Sequence, residues 1–123
     1  MTGKRIILEM GTGNDLYGQD YTKAARRAVQ DALHHSSITL FAKLGIDHSE
    51  MRVEVTIGVQ QPKAVDCELV AKDLPRGRAS VRAVKGGLDV EDAEAGTRHV
   101  VATAAIEVWL PDQAGKYEIA TPK

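Results

Sequence analysis

The run Gly11-Thr12-Gly13-Asn14-Asp15-Leu16-Tyr17-Gly18-Gln19-Asp20 gathers the residue types of this chain best suited to chemistry. Closely spaced glycines let backbone amides approach a ligand, and a helix starting just beyond them favours an anion or a carboxylate. An aspartate beside such donors and a phenol can orient a polar substrate or accept its proton. Asp15 and Tyr17 are therefore the catalytic candidates, with Gly11, Gly13, Gly18 and Asp20 as ligand-binding positions. The same residues also admit an architectural account: an Asx turn at Asn14-Asp15, Tyr17 packed on the following helix, and Asp20 as its cap. Neither nucleotide signature is met. Leu16 occupies the third glycine position of GxGxxG, and no Gly-Lys-Ser/Thr follows the run.

Arg82 or Arg52 could neutralise a substrate carboxylate; Arg82 and Lys85 could hold an anionic substrate opposite the glycine run, or as easily balance Glu107 and Glu54. His34 and His35 are adjacent, so on a helix they diverge by about 100° and cannot share one metal. His48 lies in a loop with Asp47 and Glu50, and His99 opens the last strand beside Arg98. Cys67 has no second thiol to pair with, and Ser80 lacks a nucleophile-elbow context. No metal and no cofactor are expected.

The run from Gly11 to Gly18, continued by Gln19-Asp20-Tyr21-Thr22-Lys23-Ala24-Ala25, resembles the Gly-x-Gly-x-Asp-x-His-Gly hallmark of a small family of bacterial and plant conserved hypothetical proteins. The family has similar length, so the resemblance covers essentially the whole chain. It implies that Gly11, Gly13, Asp15 and Gly18 belong to a functional or architectural core, and it names no activity. Tyr17 stands where that pattern has histidine. A role for imidazole at this position, as metal ligand or base, therefore does not carry over.

The elements that must hold these residues follow from periodicity. Ile6 to Met10 reads as a short buried strand stopped by Gly11. Past the glycine run, Asp20 caps a helix whose apolar stripe is Tyr21, Ala25, Ala28, Val29, Ala32 and Leu33. A shorter helical piece is expected up to Leu44. Met51, Val53, Val55, Ile57 and Val59 alternate with Arg52, Glu54, Thr56 and Gly58 in the clearest strand pattern of the chain. A second, shorter helix from Gln60-Gln61-Pro62 turns Val65, Leu69 and Val70 inward. A strand from Arg78 to Val84, an acidic loop from Asp89 to Gly96 and a long strand from His99 to Leu110 complete the order β-α-β-α-β-β. The expected fold is α+β: one mixed four-stranded sheet with two helices on one face, spanning residues 1–111, followed by a tail over 112–123.

Two helices cover only one side of such a sheet. The other side of the last strand reads Val101, Thr103, Ala105, Glu107, Trp109, and Arg5, Glu9, Arg52, Glu54 and Arg82 are assigned to it as well. This mixed face suits an interface between subunits, although a solvated face with cross-strand ion pairs has the same pattern. The order of elements also resembles chorismate-mutase-like and RidA-like trimers, and the single unit of cyanuric-acid-hydrolase-type amidases. That resemblance implies a trimer with sites between subunits; no serine-lysine arrangement carries the amidase residues over.

Composition narrows the function. The 123 residues carry 16 basic and 17 acidic side chains, a formal charge of −1, with no basic face of the kind nucleic acid requires. No stretch approaches a membrane span, no signal peptide is evident, and the cytoplasm is the expected location. The chain reads as a small-molecule-binding homo-oligomer, expected as a trimer. Its ligand is expected to be a small anionic or polar metabolite held at clefts between subunits. Hydrolysis, isomerisation or deamination would be its reaction if it is an enzyme. A non-catalytic metabolite-binding or regulatory module, or a structural homo-oligomer, are the alternatives.

Overall fold

A computed structural model describes residues 3–34, 45, 47–74 and 77–111. β1 (Lys4–Asp15) is twelve residues long and runs straight through Gly11 and Gly13 to end at Asp15. The sequence reading stopped this strand at Gly11; the glycines instead extend it beneath a helix. A Cβ on Gly11 would lie 2.5 Å from the Ala28 carbonyl oxygen, and one on Gly13 would lie 2.3 Å from the Ala28 nitrogen. α1 (Tyr21–His34) therefore rests directly on the strand backbone. It can do so because its contact stripe is Ala24, Ala25, Ala28 and Ala32, all fully buried, with Val29. The expected helical piece up to Leu44 lies outside the described residues.

β2 (Arg52–Val59) keeps the predicted alternation, with Val53, Val55, Ile57 and Val59 buried. The second helix is shorter than its pattern suggested: a 3-10 turn at Pro62–Ala64 precedes α2 (Cys67–Ala71). Asp66 caps α2 by accepting from the Leu69 amide at 3.1 Å, and Val70 is its buried residue. β3 (Arg78–Lys85) runs parallel to β2. The segment read as an acidic loop then forms a hairpin. β4 (Leu88–Asp92) pairs with the start of β5 (Thr97–Leu110). The sheet thus has five strands rather than four, in the order β1-β5-β2-β3 with β4 also on β5. β2 pairs residues 103–109 of β5 and β4 pairs residues 97–101, so the two lie in succession along it. The chain passes from β3 to β4 through Gly86-Gly87 across the end of β2. A Cβ on Gly87 would lie 2.2 Å from the Val101 oxygen, so only glycine permits the crossing.

Register defines the two faces. Val53, Val55, Ile57, Val100, Ala102, Ala104, Ile106 and Val108 point at α1 and form the core. Leu8, Met10 and Thr12 pair with Glu107, Ala105 and Thr103 and lie on the opposite, open face, as do Leu88 and Val90 opposite Val101 and His99. A bulge between Arg5 and Ile7 changes the phase of β1. Arg5, opposite Trp109, stays on the open face, but Glu9, opposite buried Ile106, lies on the helix side and not where the sequence reading put it. The free edge of β1 is blunted by α1: the Thr12 amide donates to Asp31 at 2.9 Å, and Arg27 donates to the Asn14 carbonyl at 2.6 Å.

Candidate functional site

Asp15 ends β1 only 4% exposed, the one buried charged residue among the described residues. Its Oδ2 accepts the Asp20 amide at 2.9 Å, closing the turn that follows the strand. The same oxygen would lie 2.6 Å from a Cβ on Gly18, so the glycine leaves room for the carboxylate. Oδ1 lies 3.8 Å from Arg27 Nη1 and 4.0 Å from Lys23 Nζ, which offset the buried charge. Asp20 caps α1 as its sequence position implied, its Oδ1 accepting from the Lys23 amide at 3.0 Å. Gln19, at φ 51°, completes the turn in the left-handed region.

Tyr17 is 78% exposed on the outside of this turn. It is not packed on α1; its ring stands edge-on to His99, with centroids 6.0 Å apart at 78°. His99 Nδ1 lies 2.5 Å from the Leu16 carbonyl oxygen. A carbonyl only accepts, so Nδ1 carries the proton. On the helix side of the same corner, the Tyr21 hydroxyl donates to Asp89 Oδ2 at 2.5 Å. Arg98 Nη1 lies 3.8 Å from that oxygen, and its Nη2 donates to Glu91 at 3.4 Å. Burial, reinforced by the Asp89 hydrogen bond, pushes the Tyr21 phenol above its ordinary pKa, so it remains a donor. Gln19, Glu91, Thr97 and Arg98 line a cavity of about 210 Å³ beside this network.

The predicted site residues do not converge on one place. Asp15, Tyr17, Gly18 and Asp20 share the corner, whereas Gly13 lies under α1. Arg52 pairs with Trp109, nine residues along β5 from Val100, the partner of Asp15. At about 3.3 Å per residue that is roughly 30 Å away. Its guanidinium stacks on the Trp109 ring at 5.2 Å, and its Nε lies 3.5 Å from Glu54. Arg82 Nε donates to the Thr56 hydroxyl at 3.1 Å on the open face.

Thr56 lines a cavity of about 560 Å³ that lies over the open face. Its floor is made of small residues, Gly58, Thr103 and Ala105, and its rims are Met10, Thr12 and Asp31 on one side and Val84, Lys85 and Gly86 on the other. The depression exists because the central strands carry short side chains where the flanking strands carry longer ones. Gly11 borders it through its backbone, so of the predicted ligand-binding residues Gly11 lines this cavity and Arg82 adjoins it.

Asp89, Arg98 and the threonines of the cavity were not singled out by sequence. The alternation Leu88, Asp89, Val90, Glu91 is a strand signal that would have placed Asp89 opposite Val100, but the density of acids made it read as a loop. Cys67 is half-buried and burial raises its thiol pKa, the behaviour of a packed rather than a reactive cysteine. His35 falls outside the described residues. No cluster of three metal-ligating side chains occurs among the described residues, and none of their helices is long and apolar enough to cross a membrane.

No curated protein matches this sequence. Among solved structures, the chain is similar to an FtsZ-like protein of unknown function from Nostoc punctiforme. The two share 35% sequence identity over 91% of this chain and 99% of that one, with a TM-score of 0.78. The model of a conserved hypothetical family, Lin0512, matches residues 5–108, which is nearly the whole of the described sheet and both helices, and this chain belongs to that family.

Proposed function

We propose that this protein binds a small anionic or polar metabolite on the open face of its sheet, in the cavity between β1 and β3. The observation that carries the reading is the cavity itself. Its volume of about 560 Å³ falls within the range of small-molecule sites, and such sites combine an apolar floor with a few polar groups at fixed positions. Ala105, Met10 and Val84 offer the apolar contact, and the hydroxyls of Thr12, Thr56 and Thr103 offer directional hydrogen bonds. Arg82 behind Thr56 favours a ligand carrying a carboxylate or a comparable anionic group at that end of the cavity, with Asp31 on the opposite rim.

Binding is favoured over turnover because of what Asp15 does. The carboxylate best suited by sequence to acid–base work is buried and engaged with the Asp20 amide, at the corner and not in the cavity. A thermal-shift screen of small carboxylates and cyclic amides tests the reading. A stabilising compound should lose its effect in Ala105→Trp, whose indole would fill the floor, and should weaken in Arg82→Ala. A hit that survives Ala105→Trp unchanged would place binding elsewhere.

A further inference from the structure

We infer that the open face of the sheet is an interface between copies of this chain, with a second copy closing the cavity from above. β1 and β4, together with Val84 of β3, are apolar where water should favour polar residues. Leu8 is 44% exposed, Met10 69%, Val84 43%, Leu88 60% and Val90 48%, all on the side away from α1. A sheet that buries one face and wets the other alternates apolar with polar, and here β4 places aliphatics on its outer side and Asp89 and Glu91 on its inner one. Several such residues on one face form the kind of contiguous apolar surface that marks an association site.

The charge pattern selects the occupant. On this face Arg5, Arg52, Arg78 and Arg82 stand against Glu54 and Glu107, with Asp92 at the end of β4: four cations against three anions. Some are paired within the face: Arg5 lies 3.3 Å from Glu107 and Arg52 lies 3.5 Å from Glu54. A nucleic acid or an acidic peptide would find little excess of positive charge across this face. An identical face meets it with little net repulsion, and its aliphatics cover aliphatics. The extent is also sufficient. Four strands about 4.8 Å apart, with β5 as the longest, span on the order of 800 Å², close to one side of a standard stable interface.

Light scattering at micromolar concentration tests this, with variants chosen outside the cavity lining. The wild type should scatter as a multiple of 13.3 kDa. Leu88→Lys with Val90→Lys should reduce it to a single chain while keeping the far-ultraviolet dichroism of the fold. Leu8→Lys, opposite Glu107, is the second variant should the pair fail to fold. A wild type that scatters as one chain throughout, or folded variants that keep the wild-type mass, would overturn the interface. Because neither variant removes a lining residue, a ligand-induced shift that weakens on dissociation but persists reports that the cavity binds and that the second copy closes it. Loss of assembly with the shift retained, or a shift absent from a properly assembled wild type, separates the two ideas.

Discussion

The Asp15 carboxylate and the Asp20 amide, 2.9 Å apart, tie the end of β1 to the start of α1. Asp15→Ala removes the acceptor and leaves a buried space beside Gly18 and an unpaired amide. A loss of about 1–3 kcal/mol is expected, read as a lower denaturant midpoint with an unchanged slope. Asp15→Asn retains an acceptor oxygen and should fall between the two. A folded, fully stable Asp15→Ala protein would return the residue to the catalytic role its sequence context suggested.

Gly13→Ala tests the contact between strand and helix. Its Cβ would meet the Ala28 nitrogen at 2.3 Å and the Ala24 oxygen at 2.5 Å, both backbone atoms that cannot swing away. Overpacking of this kind costs about 1–3 kcal/mol, and Gly11→Ala should behave alike. Thermal unfolding of the two single variants checks it; tolerance of both would mean that α1 can lift from β1 freely.

The pH dependence of stability should carry the signature of Tyr21. Its folded pKa is raised above the ordinary 10.0, first by burial and then by the bond to Asp89. The folded state therefore holds the phenolic proton more tightly than the unfolded chain does. This contribution is complete below pH 10 and is lost as pH rises through the folded value. Tyr21→Phe should flatten the alkaline decline in unfolding free energy measured between neutral pH and pH 11. An unchanged slope would assign the decline to other groups.

Arg52 packs its guanidinium over the single tryptophan, Trp109, at 5.2 Å. Arg52→Ala should cost about 0.5–2 kcal/mol through lost stacking and stem packing and should shift the Trp109 emission. The corner around Asp15 should be unaffected, since it lies at the other end of β5. Amide exchange at Gln19 and Asp20 distinguishes the two regions.

Much of this molecule is legible from residue order. The alternation from Met51 to Val59 fixes β2 and its buried side, because the two-residue repeat of a strand permits no other partition. Asp20 marks the start of α1, since its carboxylate satisfies an amide that the helix itself cannot. The mixed character of the Val101–Trp109 face was likewise readable. Glu9 was misplaced because a bulge is a pairing event between strands, and β1 alone gives no sign of it. The acidic hairpin was hidden for a related reason: Asp89 and Glu91 are acceptable in a strand only where Tyr21 and Arg98 arrive to meet them.

Sequence alone determined the α+β class, the capped alanine helix and the connection that leads into it at Asp20, because each rests on local periodicity or on backbone freedom. Tertiary structure alone decided where those residues sit and what they touch. It set Gly11 and Gly13 under a helix, turned Asp15 into a staple for a turn, and carried Arg52 to the far end of the sheet. A cavity floored by Gly58, Thr103 and Ala105 could not be foreseen, since its residues come from strands far apart in sequence that adjoin only through cross-strand pairing.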